Sequence, residues 1–156
     1  MLITHFFTLN ISHSQVSVFE RRLERPFNFW TARHVAQGFA WRSGSVSFGA
    51  IEEAGPHRVS VIVVPEDIPI SSRAVRAIQV PFKVPFHGDI EIASVADSFP
   101  LKLPSELNSL RFECLAGDSP PEIMLTFMKE GSPTFKILRS DAELLADELL
   151  LTASPA

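Results

Sequence analysis

The chain is predicted to be mainly β: one antiparallel sandwich of about nine or ten short strands with a single short helix. Three observations predict it. Apolar residues recur with a period of two along almost every segment, as on a half-buried strand. The segments are short, β-branched or aromatic, and bounded by Gly, Pro, Ser or Asp. Thirteen Phe and no Tyr supply large apolar area that needs no hydrogen-bond partner, which suits a core. The 156 residues make one domain's length, so 1–156 is read as a single domain.

The elements follow in order. MLITHFFTLNISHS alternates as a strand does, and it lacks the basic start and small-residue cleavage site of a signal peptide. QVSVFE places Val16 and Val18 on one face. After Pro26 and the aromatics Phe27, Phe29 and Trp30, Thr31 precedes ARHVAQ and Gly38 follows it. Threonine caps helix N-termini and glycine closes C-termini in the left-handed conformation, so 32–37 is the helix. At under two turns it is too short to stand alone in water. It is therefore expected to plug the sandwich, with Phe29, Trp30, Val35 and Phe39 mostly buried.

SVSFGAI aligns Val46, Phe48 and Ala50, and RSGS before it reads as a turn. RVSVIVV (58–64) puts Val59, Val61 and Val63 on one face and Ile62 and Val64 on the other, like a central strand covered on both sides. In IQVPFKVPF, Pro81 and Pro85 share one parity, so both missing N–H groups point toward the same neighbour. That predicts an edge strand over 77–84 with its proline side facing solvent. A turn at 87–89 leads to Ile90 and Ile92. LRFECLA points Leu110, Phe112 and Cys114 inward and Arg111 and Glu113 outward, and EIMLTFM aligns Ile123, Leu125 and Phe127. At the C-terminus, Ser140 and Glu143 have capping-box spacing, yet ELLLTASPA could form a strand. The reading adopted is a turn near 140–147 and a closing strand near 148–153. Loops 65–72 and 117–122 are the candidates for mobility.

Composition narrows the chemistry. No apolar run approaches the roughly 18 residues of a membrane span. A single cysteine, Cys114, excludes an internal disulfide and a zinc site built on Cys pairs. The net charge of −4 argues against sequence-independent DNA binding, which needs a basic face. No HxH, HExxH, GxSxG, P-loop or GxGxxG is present, so no catalytic residue, metal ligand or cofactor is assigned. His5 and His13 could share a face, but about 27 Å of extended chain would separate them. Cys114 alternates in phase with Leu110 and Phe112 and reads as a small buried hydrophobe. Arg21, Arg22, Arg25 and Arg33 read as local surface charge. The adjacent carboxylates Glu52-Glu53, Glu66-Asp67 and Asp147-Glu148 would point to opposite faces of a strand, so they suit solvated loops.

QVSVFE, then Trp30-Thr31 spaced to Gly38-Phe39-Ala40, then GSVSF, VPFKVPFHGDIEIASV and LPSELNSLRFEC together resemble the competence protein J family of DNA-entry nuclease inhibitors. The resemblance covers roughly residues 12 to 128. It implies a non-enzymatic cytoplasmic protein that binds and silences a nuclease, without a cofactor and without touching nucleic acid or membrane. It supplies no set of contact residues. On physical grounds the candidates are Glu52, Glu53, Glu66, Asp67 and Asp89, which could offer negative charge where phosphate binds, and Trp41 as an aromatic anchor if exposed. The alternative is a small-ligand or carbohydrate-binding sandwich. That reading needs exposed aromatic platforms, and two Trp with no Tyr weigh against it. The oligomeric state is left open.

Overall fold

A strand with alternating side chains can bury one face, and two such strands' sheets close on each other about a shared core. The computed structural model describes residues 3–117, 119–144 and 148–156. In order they form β1 (Ile3–Ile11), β2 (Gln15–Glu20), α1 (Ala32–Gln37), β3 (Phe39–Arg42), β4 (Ser45–Gly49) and β5 (Gly55–Val64). Then come β6 (Ala74–Lys83), β7 (Asp89–Ala93), β8 (Ser98–Lys102), β9 (Leu107–Leu115), β10 (Glu122–Lys129) and β11 (Lys136–Arg139). The larger sheet has the order β1-β5-β10-β9-β6-β11 and the smaller β3-β4-β2-β7-β8. Pairing is antiparallel except between β5 and β10, which run parallel.

The inward residues are those the alternation selects. Val16, Val18, Val46 and Phe48 of the smaller sheet meet Val61, Ile78, Leu110 and Phe112 of the larger one. The Phe48 and Phe112 rings stack across the layers at 4.7 Å. Phe7 on Phe99, at 4.1 Å, closes one side of the sandwich, and Trp41 edge-on to Phe135, at 5.1 Å, closes the other.

Both outer faces are partly covered too. Loop 65–73 runs across the outside of the larger sheet on its way from β5 to β6. Arg111 of β9 donates to Ile68 O at 2.7 Å, and Glu113 accepts from Ser71 N–H at 2.7 Å. Arg111 and Glu113, expected outward in solvent, therefore point outward but are buried under this loop. Such burial is tolerable because every charge has a partner.

On the smaller sheet, the stretch from Leu23 to Trp30 acts as a strap. Phe27 packs edge-on against Phe19, and the buried Asn28 amide donates to Ser45 Oγ and Ser47 Oγ, both at 3.1 Å. This corrects the plug expectation. Phe39 is fully buried and Trp30 half-buried, but Phe29 and Val35 stand 60% and 63% exposed. Helix α1 itself has the expected bounds, capped by Thr31 and by Gly38 in the left-handed region (φ 83°). Its buried side chains are polar, His34 and Gln37.

Those two side chains explain the C-terminus. Gln37 donates to Leu150 O and accepts from Leu150 N–H, both at 2.8 Å, while His34 Nε2 lies 2.8 Å from Thr152 O. Thr31 N–H donates to His34 Nδ1, so the ring proton sits on Nε2 and is donated to Thr152. Further on, Phe29 N–H donates to Ser154 O and Ala156 N–H to Phe27 O. Residues 148–153 are thus an extended tail latched to the helix, and the expected closing strand does not form. Ser140, Asp141 and Glu143 do lie in a turn region as expected, whose residues 145–147 fall outside the described ones.

The edge expectation for 77–84 also changes. β11, unforeseen from the sequence, pairs with Ala77–Gln79 and makes β6 an inner strand there. Pairing stops beside Pro81, whose carbonyl accepts from Trp41 Nε1 at 2.7 Å. The proline side of the strand is capped by an indole and does not face open solvent.

Candidate functional site

One end of the sandwich is built from the β1–β2 turn, the 50–54 loop and residues 116–117 and 119–121. The β1–β2 turn puts His13 and Ser14 at φ 58° and 53°, a left-handed pair that glycine or asparagine would adopt more readily. The turn therefore places His13 at the tip, not on a strand face with His5. It also anchors the neighbouring loop: Ser14 N–H donates to Glu53 O at 2.8 Å and Ala50 N–H to Ser14 O at 2.7 Å.

Two clefts open at this end, separated by Ile51. The first, about 540 Å³, is lined by Ile51, Glu52, His57, Cys114, Pro120 and Glu122, among others. The second, about 450 Å³, includes His13, Trp30, Val35, Ile51, Arg76 and Glu143. Burial pushes the Cys114 thiol up to about 12, so the group is a neutral hydrophobe in the wall, as its strand phase suggested. The Arg73 side chain, hydrogen-bonded to Glu122 at 3.0 Å, holds that carboxyl below its usual range.

Arg76 was missed by the sequence reading. It is 3% exposed and pairs bidentately with Asp141 at 3.0 and 2.8 Å, while also donating to Gly49 O at 2.6 Å. A signal existed: Arg76 shares the parity of Ile78, Val80 and Phe82, so continuing that strand backward by two residues lays a charge on the core face.

The six candidate contact residues are not brought together. Glu52 and Glu53 are exposed at the cleft end and make no ion pair among the described residues. Glu66 is exposed in the loop crossing the larger sheet, and neighbouring Asp67 is paired with Arg111 at 3.0 Å. Asp89 lies at the opposite end, roughly 17 Å away along β2. There it is surrounded by His87 at 3.5 Å, Lys102 at 3.7 Å and Arg22 at 3.9 Å. Trp41 is half-buried with its N–H committed to Pro81, so it is no exposed anchor. Trp30 is likewise engaged, donating to Gln15 Oε1 at 2.6 Å. Among the described residues no three His, Cys, Asp or Glu side chains converge as metal ligands, and no helix is long and apolar enough to cross a membrane.

The fold is that of a two-layer β-sandwich protein, with two clefts between loops at one end. A family model for competence protein J (ComJ) matches residues 8–135. The chain belongs to that family. Its fold is similar to the crystal structure of ComJ from Bacillus subtilis, an inhibitor of the DNA-degrading activity of NucA. That match has a TM-score of 0.73 at 20% identity, covering 83% of this chain and 99% of that one. It is also similar to a structure described as crocagin biosynthetic gene J, with a TM-score of 0.61 at 12% identity and the same coverage. Comparison with curated proteins gave no significant match.

Proposed function

We propose that this chain is a non-catalytic inhibitor that binds and silences a nuclease in the cytoplasm. The observation that carries the reading is membership of the competence protein J family across residues 8–135. The physics of the cleft end supports it. A nuclease site attracts phosphate, so exposed carboxylates without counter-ions can occupy the same field. Glu52 and Glu53 meet that description, and partly exposed Ile51 beside them offers apolar contact. Asp67, Asp89 and Trp41 are engaged within the fold and drop to secondary candidates, with Glu66 an isolated charge.

The test is a DNA-cleavage assay with a DNA-entry nuclease from the same host, at low and high salt. The protein should slow cleavage. Glu52→Lys with Glu53→Lys should slow association about tenfold at low salt, and the difference should shrink as salt screens it. If no nuclease is slowed, the inhibitor reading fails. If the double variant inhibits as well as the parent, inhibition stands and the contact surface lies elsewhere.

A further inference from the structure

The geometry points to β1 as a self-pairing edge: two copies of this chain join antiparallel through Thr4, Phe6 and Thr8, about a twofold axis at Phe6. This is independent of nuclease binding.

A sheet edge exposes unpaired backbone groups and is normally protected by charge, proline, brevity or a cover. Three of the four edges here are protected in that way. β3 is four residues long and ends in an arginine, β8 carries Pro100 and Lys102, and β11 is four residues long with Lys136 and Arg139. β1 has none of these devices. Its nine residues, ITHFFTLNI, contain no Asp, Glu, Lys, Arg or Pro.

Parity shows which backbone groups are free. Asn10 N–H donates to Asp97 Oδ2 at 2.9 Å, and Asn10 O accepts from Ser94 Oγ at 2.5 Å. Both groups thus point away from β5, and so do those of Thr4, Phe6 and Thr8, two residues apart along the strand. Asn10 is capped by the β7–β8 turn. Thr4, Phe6 and Thr8 have no backbone partner on that side among the described residues. The Phe6 ring between the threonines is 78% exposed.

A second copy fits this edge better than an arbitrary strand because the edge is self-complementary. With Phe6 opposite its twofold mate, Thr4 falls opposite Thr8, and all three residues face the partner's free groups. About six backbone hydrogen bonds would form, and the two Phe6 rings would make a cross-strand aromatic pair. No like charges meet, and the symmetry closes at two copies. The contact is narrow, so association should depend on concentration, as for a transient interface.

Sedimentation of the full chain across a concentration series should show mass rising from one copy toward two. Phe6→Glu should leave the melting temperature unchanged, because the ring is exposed, and should hold the protein at one copy. Oxidising Phe6→Cys should give a covalent dimer, since directly opposed residues lie about 5.5 Å apart at Cα, within disulfide reach. Thr8→Cys should not, since its mate would be roughly 13 Å away in this register. Buried Cys114 does not compete. The inference is overturned if the parent stays a single copy throughout, if Phe6→Glu associates as the parent does, or if both cysteine variants cross-link equally. It is also overturned if the Thr4, Phe6 and Thr8 amides gain exchange protection only when a nuclease is added.

Discussion

Arg76 occupies the core parity of β6 with its guanidinium shared between Asp141 and the Gly49 carbonyl. Removing one member of a buried pair strands the other. Asp141 keeps some solvent contact, so Arg76→Met should cost about 3 kcal/mol in urea unfolding, the low end for such pairs. Cys114 makes a second prediction. Its thiol is pushed up to about 12 by burial, so the folded form keeps a proton that the unfolded form gives up near pH 8.5. That contribution is complete below the unfolded value and shrinks as pH climbs toward about 12. At neutral pH a thiol reagent should label the native protein far more slowly than the urea-unfolded one. Glu122 has the opposite sign. Arg73 holds its carboxyl low, so the pair's contribution is present above the unfolded carboxylate value and is lost as pH falls through the folded one. Both side chains are partly exposed, so Glu122→Gln should cost under about 1 kcal/mol at pH 7, and the gap should close in acid.

At the scale of elements, α1 is too short to persist by itself, and its caps and buried polar side chains hold it. A Cβ on Gly38 would sit 2.8 Å from Leu144 Cδ2 and 2.9 Å from Ile78 Cδ1, at a positive φ that disfavours side chains. Gly38→Ala should therefore lower stability by about 1–3 kcal/mol in thermal unfolding. The bounds of α1 were legible because threonine and glycine mark helix ends through local backbone chemistry. β2, β4, β9 and β10 were legible because alternation is local as well. The burial of His34 and Gln37 was not, since their partners Thr152 and Leu150 are distant in the chain. The same holds for the candidate site. Glu52, Glu53, Glu66 and Asp67 read correctly as exposed from their adjacent acidic pairs, whereas the pairing of Asp67 with Arg111 and of Trp41 with Pro81 is decided on other strands. β11 was missed because KILR is too short to display a period.

For the molecule as a whole, the reading of 1–156 as one domain predicts a single cooperative transition, with tryptophan fluorescence and far-ultraviolet dichroism changing together. Both layers contribute to one apolar cluster, so neither sheet has a separate interior to melt first. The parallel junction of β5 with β10 bears on how the chain is made. In the larger sheet β10 lies between β5 and β9, although it is the tenth strand in sequence. On the ribosome, β1 can pair with β5 long before β10 emerges, and β6 with β9 just ahead of it, but no strand pairing joins the two ribbons of the larger sheet until β10 does. A nascent chain stalled before Glu122 should therefore remain protease-sensitive, and protection should arrive abruptly once residues beyond Lys129 clear the exit tunnel.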